Sequence, residues 1–178
     1  MTVQAHPAFQ SRPALEITPS VVALEPGTGE HLWFLDHLVT VKLRGAEAPW
    51  GVIEAALPAG ARTPFHRHQD DDETMVVLEG ELTVFLEGGR TVRGRPGSCV
   101  HLPRGLAHGF RTETPLRMLV ICRPEGFVEF TRDYGVPAPR PEYPPNAPPD
   151  FPRLEALSRK HHIDLLGPLP EGELGDAL

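Results

Sequence analysis

The sequence predicts an all-β protein, a small sandwich or barrel, and three observations carry that prediction. Short segments of alternating or β-branched apolar residues recur from residue 20 to 122, Gly, Pro or Asp ends each of them, and no ten-residue helical pattern interrupts the series. A chain of 178 residues suits one domain with a substantial core and extra terminal elements. Hydrophobic residues at 40% and charged residues at 23% are ordinary for a soluble domain, and a formal net charge of −7 argues against nucleic acid or an anionic membrane surface as partner.

The expected strands, in order, are SVVAL (20–24), HLWFL (31–35), LVTVKL (38–43), WGVIEAAL (50–57), TMVVLE (74–79), ELTVFLE (81–87), RTVR (90–93), SCVHL (98–102), HGFRT (108–112) and LRMLVIC (116–122). Gly88 and Gly89 accept positive φ and predict a tight hairpin between ELTVFLE and RTVR. After Cys122, EGFVEFTRDYG (125–135) places Phe127, Phe130 and Tyr134 on one helical face with Gly135 as C-cap. Residues 136–149 are too proline-rich for a ladder or helix and predict extended surface chain. Asp150 can cap a second helix, with Pro152 in its first turn and Leu154, Leu157 and His161 on one side, ending before Gly167 and Pro168. The organisation is an N-terminal extension (1–19), a barrel (20–123), and C-terminal helices with a proline-rich tail packed on the barrel (124–178).

The stretch HRHQDDDE (66–73) belongs to a two-block pattern: Gly60, His66, His68, Glu73 and Gly80, then Gly97, Pro103, Gly105 and His108. In spacing and residue type these nine positions resemble the two motifs of the cupin family, with one departure, Thr112, where the family prefers Asn. The flanking strands and the helix EGFVEFTRDYG also resemble small bacterial single-domain cupins likened to quercetin dioxygenases. The resemblance implies a double-stranded β-helix, the cupin jelly-roll barrel, with short C-terminal helices and a metal held by His66, His68, Glu73 and His108.

Elementary geometry is consistent with that implication. Residues two apart on a strand share a face, so His66 and His68 project together, and neutral imidazole is a good ligand for Fe, Mn, Ni, Co, Cu or Zn. A turn or bulge through Gln69–Asp72 lets Glu73 open the next strand on the same side as Met75 and Val77. Three nitrogens and one carboxylate leave about two positions open on a six-coordinate ion, which suits catalysis better than a closed structural site. One divalent transition metal ion is therefore the expected cofactor.

The resemblance implies a dioxygenase that binds an oxygen-rich small molecule, a flavonol or an enolisable diketone, and opens it with O2, with Glu73 as the proton-transferring catalytic residue. A non-catalytic metabolite-binding or sensing cupin and a cupin isomerase or lyase are the alternatives. Met75, Phe85 and Phe110 are the expected substrate-pocket residues, and Arg62, Arg67 and Arg104 could meet an anionic substrate at the barrel mouth. Asp70, Asp71 and Asp72 read as a solvated turn, His101 as a hydrogen-bonded or exposed strand residue, and His161 and His162 as a surface pair. Cys99 and Cys122 read as buried reduced thiols. No basic start followed by an apolar run opens the chain, and no stretch reaches the roughly 18 apolar residues of a membrane span, so a cytoplasmic location is expected. Open sheet edges need cover, which predicts a homodimer.

Overall fold

The computed structural model describes residues 21–45, 49–145 and 148–170. The expected N-terminal extension (1–19), Ser20 and the last eight residues of the tail lie outside the described residues. Val21–Leu24, expected as a strand, has no regular structure, and the first strand is β1 (Glu30–Phe34).

Two antiparallel sheets face each other as a jelly-roll barrel. The larger contains β1, β2 (His37–Leu43), β3 (Gly51–Leu57), β5 (Asp72–Glu79), β8 (Cys99–Leu102), β10 (Leu116–Arg123) and β11 (Val136–Pro137), in the order β11-β1-β2-β3-β10-β5-β8. The smaller contains β4 (Phe65–His68), β6 (Leu82–Leu86), β7 (Arg90–Gly94), β9 (His108–Thr112) and β12 (Ile163–Gly167), in the order β12-β4-β9-β6-β7. The alternation in β3 and β5 buries every second residue, which is the pattern of strands with one face in a core. Ile53, Leu57, Met75, Val77, Val84 and Val120 fill the space between the sheets.

The turns that join the layers are where the motif glycines act. Gly80 has φ 80° and passes so near Pro115 that a Cβ would lie 2.1 Å from its carbonyl oxygen, so no other residue fits there. Gly105, also at φ 80°, turns the β8–β9 connection and donates its N–H to the His68 carbonyl at 2.8 Å. The Gly88–Gly89 hairpin forms as expected, as a single 3-10 turn between β6 and β7.

Two helices form in the C-terminal segment, α1 (Gly126–Tyr134) and α2 (Phe151–Lys160), the second capped by Asp150, whose side chain accepts from Arg153 N. Two short stretches are strands against expectation: Val136–Pro137 in place of extended surface chain, and Ile163–Gly167 in place of the end of the second helix, which stops at Lys160. Val136–Pro137 pairs with β1, and Ile163–Gly167 pairs with β4, so the segment adds an edge strand to each sheet. Local pattern could not show this, because each strand exists only by virtue of a partner distant in sequence.

Candidate metal centre

Strand register assembles the cluster. His66 and His68 stand on the inner side of β4, and His66 pairs directly with His108 at the start of β9. From the opposite sheet, Glu73 comes in on β5 between Cys122 of β10 and Leu102 of β8. His66 is partly buried and the other three are buried, and each offers a ligand atom within 4.8 Å of the rest. The imidazole rings of His66 and His108 are 4.5 Å apart and those of His68 and His108 are stacked at 5.6 Å.

Backbone contacts set two of the rings. The Nδ1–H of His66 donates to Pro64 O at 2.8 Å and that of His108 to Leu106 O at 3.0 Å, so the neutral form of each ring carries its lone pair on Nε2. His68 differs, since neither of its ring nitrogens has a hydrogen-bond partner among the described residues. His108 Nε2 and Glu73 Oε2 are likewise buried without one. Burying polar atoms unpaired is unfavourable, and four at one point mark a place built for a further group.

Spacing supports an ion as that group. Donors held about 2.1 Å from a common centre at roughly right-angle to tetrahedral separations stand about 3.0–3.4 Å apart. Glu73 Oε2 lies 3.3 Å from His108 Nε2 and 3.4 Å from His68 Nε2. The donor set of three nitrogens and one carboxylate oxygen fits a first-row divalent ion.

Ionisation is consistent with the same role. Burial, then the neighbouring His108 and His68, lowers His66 to about 3, so it is neutral at physiological pH. Burial lowers His68 as well, against the Glu73 charge. For Glu73 burial pushes upward, but close approach of His108 and the charges of His108, His68 and His66 outweigh it and hold the carboxyl at about 2. His108 is raised, because the Glu73 carboxylate more than offsets its own burial. Without an ion, His108 therefore holds a proton more readily than a free imidazole does.

The acidic turn is not merely solvated. Asp70 pairs with His162 at 2.6 Å. Asp71 is buried, and its Oδ1 accepts from Gly126 N at 3.1 Å, capping α1, with burial raising its pKa. Asp72 grips the Arg104 side chain through both oxygens at 3.0 Å and the Arg104 N–H as well, which lowers its pKa to about 2. This clamp ties the first residue of β5 to the turn before β9 and so positions Glu73 relative to His108. Arg104 is thereby engaged, and Arg67 pairs with Glu87 at 3.5 Å. His101 is exposed and contacts Thr74 Oγ1, and His161 contacts Asp133 at 2.8 Å. Cys122 is buried beside Glu73, whereas Cys99 is exposed on the outer face of β8, contrary to expectation.

A cavity of about 60 Å³ opens on His66 and Glu73. Of the expected pocket residues, Phe110 lines it. Met75 does not, because it is packed between the sheets two residues past Glu73 on β5. Phe85 does not either: its neighbour Val84 pairs with the inward Phe110, so Phe85 faces outward, beneath the Arg111 guanidinium at 5.8 Å. Much of the wall is instead C-terminal, with Phe127 and Phe130 from α1, Leu154 and Ser158 from α2, and Ile163 and Leu165 from β12; β1 and its turn add Phe34 and Leu35. Phe127 stands edge-on to His68 at 5.1 Å. The apolar face of EGFVEFTRDYG was visible in sequence, but what it covers was not. Ser158 is 1% exposed and its hydroxyl has no partner among the described residues, a state that costs about 1–3 kcal/mol.

A jelly-roll barrel of two antiparallel sheets, holding three imidazoles and a carboxylate at one end, defines the class of small barrel with a buried His/Glu centre. Residues 53–122 form a cupin domain: they match the family model of that description. It is 28% identical over 117 residues to quercetin 2,3-dioxygenase of Bacillus subtilis (strain 168), covering 64% of this chain and 34% of that protein. It is 33% identical over 58 residues to the uncharacterized protein YdbB of the same organism, covering 33% of this chain and 50% of that one. The matches thus span half or less of these curated relatives. Among solved structures, ectoine synthase from P. lautus superposes with a TM-score of 0.53 at 19% identity, over 68% of this chain and 90% of that one, a likeness of fold.

Proposed function

We propose that this protein is a mononuclear metal-dependent oxygenase that cleaves a small enolisable dicarbonyl compound with O2. The observation that carries the proposal is the buried cluster of His66, His68, Glu73 and His108, with unpaired donor atoms, at the end of an aromatic cavity. The quercetin dioxygenase relative supports the reaction class. One Fe, Mn, Ni, Co, Cu or Zn ion held by the four residues would supply Lewis acidity toward the enolate oxygen and a template for O2.

The protein's own groups do the rest. Glu73, ionised because the imidazoles hold its pKa near 2, is the proton acceptor at the acidic carbon of the substrate. Phe110, Phe127 and Phe130 contact the carbon skeleton and exclude water. Size favours a dicarbonyl over a flavonol: about 150 Å³ is needed to enclose a benzene, and a flavonol has three rings. The cavity, at about 60 Å³, is smaller than either ligand, and a short dicarbonyl requires less displacement of its walls than a flavonol.

No helix among the described residues is long and apolar enough to cross a membrane. We place the protein in the cytoplasm as a homodimer. Its unpaired thiols support the first, and the half-buried Val76, Leu119 and Ile121 on the outer side of the larger sheet support the second. Oxygen uptake by protein loaded with each metal in turn, against a panel of short diketones and flavonols, tests the function. Uptake with diketones is expected; ligand binding with no uptake and no anaerobic isomerisation or cleavage would make it a binding protein instead.

A further inference from the structure

The cavity has two kinds of polar group. Beside the His/Glu cluster, its lining includes Thr63 and Ser158 among apolar side chains. Thr63 Oγ1 is engaged, accepting from Phe110 N at 3.0 Å. Ser158 is not: its hydroxyl is buried and, among the described residues, meets no hydrogen-bond partner, not even the carbonyl one turn earlier on α2 that helical serines commonly use. Leu154, one turn before it, and Ile163, just past the end of α2, line the same cavity and are 4% and 3% exposed, so the wall around Ser158 is otherwise apolar.

We propose that Ser158 determines substrate specificity: its hydroxyl hydrogen-bonds an oxygen of the bound substrate other than the one directed at the His/Glu cluster. The ligand class is thereby narrowed to short, largely apolar molecules carrying two separated oxygen functions. One oxygen is recognised by the barrel and the second by the C-terminal helix. An apolar wall rejects a second polar group that has no partner, while a site with one unpaired hydroxyl rejects an analogue that lacks the second oxygen, so a single serine discriminates in both directions. This inference rests on the cavity being the substrate site, but not on the reaction being an oxygenation.

The test is a binding cycle on metal-loaded protein under anaerobic conditions, with pentane-2,4-dione and pentan-2-one as probes, in the natural protein and in Ser158→Ala. The dione is expected to lose about tenfold in affinity in the variant, and the mono-ketone less than about twofold. Ser158→Cys, nearly isosteric with a weak donor, should show the same selective loss. Metal content should stay unchanged in both variants, and the thermal midpoint of Ser158→Ala should not fall, since that change removes a buried unpaired hydroxyl; recognition is thereby separated from folding. Equal losses for both probes, or no loss for either, would overturn the proposal. Oxygen uptake, measured separately, reports on the oxygenase function, so that function can fail while the selective binding loss stands.

Discussion

His66, His68, Glu73 and His108 come from two short sequence blocks on facing sheets, whereas the wall that closes over them comes from α1, α2 and β12, far along the chain. The first region is held by backbone register and by the Asp72–Arg104 clamp; the second rests on side-chain packing, on Asp71 at the start of α1 and on the pairing of β12 with β4. The difference teaches a division of labour. The barrel end presents the donor atoms, and the C-terminal segment sets the size and polarity of what reaches them. Changes in the two regions should therefore separate metal content from ligand affinity.

The largest expected effect is in the cluster. Glu73→Gln and His108→Ala should each reduce metal occupancy to a small fraction of the natural level and abolish oxygen uptake, with the circular dichroism of the barrel retained. Elemental analysis of the purified variants checks this, and full occupancy in both would place the ion elsewhere. Next comes Asp71→Ala, which strips the cap from α1. A loss of about 1–2 kcal/mol is expected, read as a fall of about 2–8 °C in thermal midpoint, together with weaker dione binding. If the two regions are as separate as described, metal content in this variant will not change.

A smaller and graded effect follows from pH. In the metal-free protein, His66 at about 3 and Glu73 at about 2 bind protons less readily than they do unfolded, where the ordinary values are 6.5 and 4.5. Their contribution to stability is complete above pH 6.5 and is lost as pH falls, first through the His66 window toward 3 and then through the Glu73 window toward 2. His108 has the opposite sign: its contribution is present below 6.5 and fades as pH rises through its raised value. Urea midpoints of metal-free protein should thus fall between pH 6.5 and 4. Metal affinity should rise with pH until His108 has lost its proton, and a calorimetric titration series showing affinity independent of pH would contradict that assignment. The selective loss in Ser158→Ala is the mildest of the expected changes.

What could be read from sequence follows the same division. The spacing of Gly60, Gly80, Gly97 and Gly105 around the histidines was legible because turns and ligands are local features, and the structure brings the four residues together as expected. The acidic run was less legible. Composition suggested solvent, yet Asp71 is a buried helix cap and Asp72 an arginine clamp, and each role needs a partner that pattern alone cannot supply. Phe85 was less legible, because an aromatic residue on a strand buried on both faces carries no sign of which face it takes, and register with Gly109 decides that it looks outward. β12 was missed for a related reason: IDLLG has no alternation of its own and becomes a strand by pairing with β4.

The central claim is that His66, His68, Glu73 and His108 together hold one ion facing the aromatic cavity. A crystal structure of metal-loaded protein, with diffraction collected at the absorption edge of the metal, tests it most directly. The account predicts one anomalous peak per chain, within coordination distance of the three Nε2 atoms and a Glu73 carboxylate oxygen. A peak at any other set of residues, or none at this cluster in protein shown to contain the metal, would contradict it.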